Sequence, residues 1–494
     1  MNHAKFTERI SLLFFLLFLV SQFGCNRGPL TDKDDTVALI GNRQITLNEF
    51  IMRAEYTPRP AYCKGSTNSD RQIILNSFVA EKLMALDNEK YCNEKMTAKL
   101  TKQLKGRLEQ AMRIEFFKDI SKNLNDIDEK SLSMAVSNLN REYDVDIFKT
   151  FRKKRAFQLS KQLKVESSIN EIMDHFSDVA LSKENIQWKN NTDWIITESL
   201  FFEKVMKGEV KGPIQSDSGH WLVFQINGWK STVRTESELD VIIADVKKFH
   251  RSVLARKKIK IQVSEIMKNR LLKFNGDVFR NYAEMLKPVY FKSRNKMIAS
   301  ALWEDFPESY PLLETDSIGE SVLFTLNNEP WTVSTVEELI STHPLVFRGK
   351  VLNEDSFDHH LRFALADLMR DYYVTKHCYE RGYDSRQSVS EEYQLWFDNY
   401  CSGVAKLKYL VDSGVTLEEA SNAATVHKHL SRYIESLQQK YSDKIYINID
   451  LLKDIEITTI DMFVHKQGLP FAVPVPPFPI LTADSRLDYG NVLK

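Results

Sequence analysis

The stretch TVALIGNRQITLNEFIMRAEY, residues 36–56, predicts a strand–turn–strand–helix unit. Val37–Ile40 is a short apolar run, and the dipeptide Gly41-Asn42 that follows it is typical of a tight hairpin turn. Thr46 precedes a segment with helical character and has Glu49 three positions later, which is the pattern of a capping box at a helix start. The stretch therefore predicts a hairpin that runs directly into a helix.

A second copy of this pattern, LFTLNNEPWTVSTVEELI, begins at Leu323. When the two copies are aligned, Thr332 falls on Thr46. Ser334 and Glu337 provide a capping box for the helix of the second copy. Two copies of one unit indicate a doubled framework.

Apolar residues at helical spacing dominate most of the remaining chain. RQIILNSFVAEKLMALDNEKY from Arg71 and the segment that starts at Met96 both predict long helices. Residues 235–275 are also expected to be helical, and the segment from His429 is expected to be a helix, a basic turn and a short strand. The predicted fold class is α+β, a mostly helical framework with short β-hairpins.

A different pattern, GEVKGPIQSDSGHWLVFQING, occupies residues 208–228 and predicts two short strands joined by a turn. The second strand places His220 beside Trp221. Neighbouring side chains of a strand point to opposite faces of the sheet, so these two residues are expected on opposite faces. Whether His220 takes part in catalysis is the main functional question that the sequence raises.

Bulk properties exclude several classes of function. The chain has 494 residues, enough for two to four domains of about 100–200 residues. Basic and acidic residues balance at 67 each, which gives no electrostatic reason to expect a nucleic-acid partner. The sequence has no Walker-type loop, no glycine-rich dinucleotide fingerprint and no HExxH motif, so we expect no cofactor and no metal site.

The first 25 residues have the pattern of an export signal. A basic segment with Lys5 and Arg9 precedes SLLFFLLFLV, an apolar run shorter than the roughly 20 residues that span a bilayer. Gly24-Cys25 then resembles the lipobox of bacterial lipoproteins, although Gln22 stands where that family usually has leucine. We expect Cys25 to be the lipid anchor; an ordinary signal peptide or an uncleaved anchor is the alternative.

Residues 26–35 have the composition of a short polar tether. By resemblance to sorting patterns in bacteria with two membranes, asparagine at position 26 favours the outer membrane. The expected location is the periplasm, with the chain held on a membrane by its anchor.

Four further cysteines are present: Cys63, Cys92, Cys378 and Cys401. An even number in an exported chain permits two disulfides. The local pairings are Cys63 with Cys92 and Cys378 with Cys401, but three connectivities are possible, and four free thiols are the alternative.

The tail GLPFAVPVPPFPIL contains five prolines between Leu469 and Ile480. This composition excludes a helix and predicts an extended polyproline II segment that is mobile or lies on the surface.

Taken in order, these motifs resemble the SurA/PrsA-type periplasmic chaperones, which carry parvulin-type peptidyl-prolyl isomerase domains. VALIGNRQITLNEF and ILNSFVAEKLMALDNEK resemble the start of their chaperone domain. EYDVDIF and IYINIDLL resemble the strands that end its helices, and GEVKGPIQSDSGHWLVFQI resembles the last third of a parvulin domain. The resemblance implies an inserted small antiparallel sheet domain and clients that are unfolded exported or outer-membrane proteins.

The resemblance also implies two histidines on adjacent central strands of that domain, and this chain departs from both. The family's first strand reads Arg-Ala-Ser-His-Ile-Leu; matching RAFQLS to it puts Gln158 at the first histidine. In the last strand Trp221 takes the place of the second histidine, and His220 is only a weak catalytic candidate. The interval before the Gly208-Glu209 turn is also shorter than in the family, so the domain is expected to be a degenerate parvulin.

The aromatic residues expected to bind substrate in this domain are Trp194, Phe201, Phe202 and Trp221. For Phe201 and Phe202 a place in the hydrophobic core is the alternative. The pairs His359-His360 and His427/His429 do not have the spacing that puts two metal ligands on one helix face. The basic runs 153–155 and 256–260 are expected to be solvated, with acidic lipid head groups or acidic clients as alternative partners.

These expectations define a function and a division of the chain. The function expected is that of a membrane-anchored extracytoplasmic chaperone whose parvulin-like domain is non-catalytic; the alternatives are an active peptidyl-prolyl cis–trans isomerase and a structural envelope lipoprotein. The predicted segments are the signal peptide and anchor (1–25), the tether (26–35), the N-terminal chaperone region (36–125), the parvulin-like domain (126–235), connecting helices (236–290), a second chaperone-like helical region (291–455) and the proline-rich tail (456–494).

Overall fold

The computed structural model describes residues 35–165, 169–188, 193–231, 239–300, 318–348, 354–416, 418–459 and 475–493. The predicted signal peptide, the anchor residue Cys25 and the tether up to residue 34 lie outside these ranges. Within them, no helix combines the length and the apolar character needed to cross a membrane.

The helices are α1 (Leu47–Tyr56), α2 (Asn68–Lys95), α3 (Ala98–Lys122), α4 (Glu129–Asn138), α5 (Lys153–Leu163), α6 (Ile169–His175), α7 (Trp194–Phe201), α8 (Leu239–Ile266), α9 (Gly276–Ser300), α10 (Val333–Thr342), α11 (Phe357–Glu380), α12 (Gln387–Asp412), α13 (Ala423–Lys440) and α14 (Ile449–Asp454). The strands are β1 (Thr36–Ile40), β2 (Arg43–Thr46), β3 (Arg141–Thr150), β4 (Ala180–Ile186), β5 (Val210–Gln215), β6 (Trp221–Ser231), β7 (Leu272–Phe274), β8 (Val322–Leu326), β9 (Glu329–Thr332), β10 (Ile445–Ile447) and β11 (Asn491–Val492).

The predicted α+β class is confirmed, because long helices surround small and mainly antiparallel sheets. The strands form sheets in the orders β11-β10-β1-β2, β4-β3-β6-β5 and β7-β8-β9. Short sheets of this size need helices on their faces to bury an apolar core.

The predicted second copy of the hairpin–helix unit is present and matches the first residue by residue. In the first copy Thr36 pairs with Thr46, and a bulge separates this pair from the next one at Ala38. The second copy has the same bulge after the pair of Val322 with Thr332. A shared irregularity at equivalent positions supports the doubled framework more strongly than the sequence alignment alone.

Both hairpins are extended by a third strand in the same register. β10 pairs with β1 through Ala38 and Ile447, and β7 pairs with β8 through Phe324 and Phe274, the equivalent positions. β7 lies about fifty residues before β8 along the chain, whereas β10 comes from near the opposite end of the chain from β1. The first unit is therefore built from both ends of the sequence, and the second from one continuous segment.

Threonines begin the helices of both units. The Thr46 hydroxyl accepts the backbone N–H of Glu49 at 3.0 Å, and the Thr332 hydroxyl accepts that of Thr335 at 3.3 Å. The predicted cap at Ser334 is wrong, since that residue already lies inside α10. A capped helix start directly after a strand fixes the direction in which the helix leaves the hairpin.

The first unit shares one hydrophobic core with the last third of the chain. This core joins residues from α1 and α2 with residues from α12, α13 and β10, so it crosses the predicted boundary between 36–125 and 291–455. Phe478 and Leu481 are buried in the same core. The prediction that the proline-rich segment is mobile or lies on the surface is wrong for residues 475–481, because these two apolar side chains fill space in the core. Residues 460–474 lie outside the described ranges.

A disulfide joins Cys92 of α2 to Cys401 of α12. The local pairings considered from the sequence are therefore wrong: α2 and α12 pack side by side, which brings together cysteines that are 309 residues apart. Cys63 and Cys378 are buried free thiols, and burial raises the pKa of each to about 12. Both are thus un-ionised at neutral pH and behave as small apolar side chains.

The sheet β4-β3-β6-β5 is inserted between α3 and α8. One face is covered by α4, α7 and the start of α8, and the other face by α5 and α6. Along β6, Leu222, Phe224 and Ile226 point to the first face, and Val223 points to the second, as the alternation of a strand requires.

Candidate functional site

Gln158 does not lie on a strand of the inserted sheet. It sits on α5 and its side chain is exposed. The assignment of RAFQLS to the first strand is wrong, because Ala156, Leu159 and Leu163 are buried at helical spacing. The first strand is β3, whose sequence is REYDVDIFKT.

The two central strands of this sheet, β3 and β6, pair with each other and contain no histidine. His220 lies one position before β6, in the turn after β5. A pair of histidines on adjacent central strands, which the resemblance implies for a catalytic parvulin, is thus missing from this sheet.

His220 packs against aromatic and imidazole rings from other segments. Its ring stacks on Phe151 with centroids 3.8 Å apart, and its Nδ1 lies 2.9 Å from the Ser218 hydroxyl. Burial, with smaller contributions from the neighbouring His360, Lys149 and His359, lowers the pKa of His220 to about 4. The imidazole is therefore neutral at pH 7 and acts as a packing group.

His359 and His360, at the start of α11, also contact Phe151. Their ring centroids lie 3.8 Å and 5.6 Å from that of Phe151. Burial lowers the pKa of both histidines. We refer to Phe151, His220, His359, His360 and Phe363 as the Phe151 junction, since these residues join the inserted sheet to α11.

The Phe151 junction has the features of a packing contact. Gly219 lies against it with a φ of +88°, and a Cβ at this position would lie 2.9 Å from the Phe363 ring, so the close approach requires glycine. Within the described ranges, no group of three or more histidine, cysteine, aspartate or glutamate side chains is arranged to hold a metal ion.

The structure does not gather the predicted substrate-binding aromatic residues into one site. Phe201 is fully buried against Tyr143 and Trp188, so it cannot contact substrate and the prediction for it is wrong. Phe202 stacks on Phe249 of α8 with centroids 5.7 Å apart. Both residues belong to the core on the α7 face of the sheet.

Trp194 and Trp221 lie outside the core that contains Phe201 and Phe202. The Trp194 indole N–H donates to Asp217 at 2.9 Å, and the Arg256 guanidinium lies over the indole ring. Trp221 is half-buried on the opposite face of the sheet, where its ring centroid is 6.1 Å from that of Phe157. Part of the Trp221 side chain is therefore accessible to solvent, beside a helix where the sequence had predicted a strand.

Trp221 lies beside the exposed side of α5, of which only the basic run 153–155 was identified from the sequence. This exposed side consists of Lys153, Lys154, Phe157, Lys161 and Lys164, together called the basic face below. The helical spacing of Ala156, Leu159 and Leu163 was the signal that would have identified it. Matching the same residues to a strand motif concealed that spacing.

In comparisons with known proteins, the chain matches no protein-family model, no curated protein and no solved structure at a significant level.

Proposed function

We propose that this protein is a membrane-anchored extracytoplasmic chaperone that binds unfolded exported chains without catalysing prolyl isomerisation. The observation that carries the proposal is an inserted antiparallel sheet with helices on both faces, whose central strands β3 and β6 carry no histidine. Such a sheet offers a surface for binding, but it lacks the pair of histidines that the resembled family uses to catalyse prolyl isomerisation.

The doubled framework adds support from outside the sheet. Two hairpin–helix units with the same bulge and the same threonine cap frame the inserted domain. This arrangement accords with the chaperone framework implied by the resemblance of the segments that start at Val37 and Leu323.

The disulfide between Cys92 and Cys401 supports the proposed location. Disulfides persist in oxidising compartments such as the periplasm and are rare in the cytosol. Together with the export signal and Cys25, it favours a chain that acts outside the cytoplasm; the outer membrane as the site of the anchor rests on Asn26 alone.

An isomerase assay tests the non-catalytic part of the proposal. Spontaneous X-Pro isomerisation takes tens to hundreds of seconds, so a refolding substrate limited by one proline reports any acceleration directly. With the chain from residue 26 onward, we expect the refolding rate to equal the uncatalysed rate. A clear acceleration that grows with protein concentration would make this protein an enzyme.

An aggregation assay tests the chaperone part. A urea-unfolded β-barrel outer-membrane protein is diluted with the same preparation, and light scattering is recorded over time. We expect suppression in proportion to the amount of protein added. No suppression at a several-fold molar excess contradicts the proposal, and an unrelated exported protein of similar size serves as the control.

A further inference from the structure

The basic face of α5 combines positive charge with exposed apolar surface. The helix packs Leu159 and Leu163 against the sheet, where both side chains are buried. On the opposite side Phe157 is 51% exposed, and Val165, just beyond the helix, is 84% exposed. Exposed lysines surround these two residues.

Acidic residues in the described part of the chain do not neutralise the lysines of this face. The nearest ion pairs are on its flank, where Arg155 lies 2.7 Å and Arg152 lies 3.7 Å from the carboxylate of Asp178. Among the described residues, no carboxylate lies within ion-pair distance of Lys153, Lys154, Lys161 or Lys164.

The aromatic residues at the edge of the basic face lie within reach of one of its lysines. The Lys153 ammonium lies 5.9 Å from the ring centroid of Phe157 and 5.3 Å from that of Trp221. The two aromatic rings provide apolar surface, and the lysines beside them carry positive charge at the ends of long, flexible side chains. Amphipathic helices that lie in the head-group layer of a membrane use this combination.

We infer that the basic face docks on an anionic membrane surface, with Phe157 and Val165 at the depth of the head groups and the lysines on lipid phosphates. Lysines near an anionic surface gain electrostatic free energy that salt screens, and an aromatic side chain at the interface adds apolar burial. This contact would set the orientation of the inserted sheet relative to the membrane.

The geometry favours a lipid surface over an acidic polypeptide. An extended peptide binds by adding a strand to a free sheet edge or by lying in a groove. The edge strands of the sheet are β4 and β5. Trp221 lies on the inner strand β6, and neither Phe157 nor Val165 lies on a strand, so the aromatic and apolar side chains of this surface are not at a free sheet edge. Phe157 and Val165 project from a helix surface, which suits a planar partner.

Vesicle sedimentation tests the inference with the chain from residue 26 onward, so that no lipid anchor contributes. Vesicles with about 30 mol % phosphatidylglycerol are compared with pure phosphatidylcholine vesicles, and we expect at least about tenfold stronger partitioning onto the anionic ones. Raising the salt concentration from about 0.1 M to about 0.5 M should remove most of this preference.

Charge-matched variants locate the contact. Replacing Lys153, Lys154, Lys161 and Lys164 with glutamine should lower partitioning about tenfold. The control replaces Lys95, Lys99, Lys130 and Lys428, which are also exposed, with glutamine and should leave partitioning within about twofold of the unmodified chain. Equal losses in the two variants would overturn the inference, because they would reflect net charge alone.

Phe157→Ser separates a lipid interface from simple charge attraction. We expect it to weaken partitioning several-fold while the salt dependence stays the same. A soluble acidic polypeptide, poly-glutamate, is added as a competitor to the vesicles. If poly-glutamate binds the chain as tightly as the vesicles do, and the lysine variant loses both equally, the surface binds acidic polypeptides and the inference is wrong.

Discussion

Arg53 has no exposed surface, and its guanidinium makes two hydrogen bonds to Glu81, at 2.6 Å and 2.7 Å. A third bond, at 3.1 Å, reaches the carbonyl of Pro477 in the tail. Asn399 of α12 donates to both Glu81 and Pro477. One buried charge pair therefore connects α1, α2, α12 and the tail.

Removing one partner of this pair should be strongly destabilising. Glu81→Ala removes the two short hydrogen bonds and leaves the buried Arg53 guanidinium with only the longer carboxylate contact, to Glu49 at 3.4 Å. We expect the free energy of unfolding to fall by about 3–5 kcal/mol. Urea denaturation measures the change. The control Glu94→Ala removes the exposed pair with Lys90 and should leave stability unchanged; similar losses in both variants would contradict this role for Arg53.

His220 should make the protein less stable in mild acid. Its folded pKa is about 4 and its ordinary value is 6.5, so the unfolded chain takes up a proton in this range before the folded chain does. Stability is then unaffected above pH 6.5 and falls as the pH drops from 6.5 towards about 4. His359 and His360 act in the same direction.

The variant His220→Phe tests this pH dependence, because it keeps a ring on Phe151 and removes the titrating group. Denaturation at several pH values should show a smaller acid loss for the variant than for the unmodified protein. Identical pH profiles would mean that His220 does not contribute.

Helix α3 crosses the end of α10 at a glycine. A Cβ on Gly106 would lie 2.1 Å from the carbonyl oxygen of Thr342, so the two helices approach this closely only because position 106 has no side chain. Close by, Glu109 accepts a hydrogen bond of 2.5 Å from His343. This crossing attaches the helix of the second hairpin–helix unit, α10, to α3.

Gly106→Ala should therefore destabilise the protein, by about 1–3 kcal/mol. Gly403 in α12 is the matched control, because a Cβ there would meet nothing within 4 Å. Gly403→Ala should stabilise by about 0.5–1 kcal/mol, as expected for alanine in a helix. Thermal and urea unfolding compare the two; the same sign for both would contradict the close crossing.

Elements governed by local patterns were predictable from the sequence. The hairpin at Gly41, the helix capped by Thr46 and their second copy follow from turn dipeptides, caps and apolar spacing. Gln158 was misplaced because a short motif match was preferred to the helical spacing of its neighbours. The Cys92–Cys401 disulfide and the buried Phe478 depend on which helices pack together, and a single sequence does not specify this.

At the scale of the whole molecule, the disulfide links two halves of the chain that are distant in sequence. Cys92 and Cys401 close a loop of 309 residues between α2 and α12, and long loops lose the most unfolded-state entropy when they are closed. The same two helices carry Glu81 and Asn399. The disulfide and the buried polar network thus support one interface.

Removal of the disulfide should lower the free energy of unfolding by about 3–5 kcal/mol. The double variant Cys92→Ala/Cys401→Ala is compared with the unmodified protein by urea denaturation, with and without reductant. Reductant should destabilise only the unmodified protein. An equal effect of reductant on the variant would show that another thiol is responsible.

Binding of one client in its unfolded and folded states distinguishes a chaperone from a structural envelope protein. The affinity of the chain from residue 26 onward is measured for a β-barrel outer-membrane protein, once kept unfolded in dilute urea and once folded in detergent, at matched urea and detergent concentrations. We expect the unfolded form to bind at least about tenfold more tightly, a difference of about 1.4 kcal/mol. Equal affinity, or saturable binding to the folded form alone, would contradict a chaperone and identify a structural envelope protein.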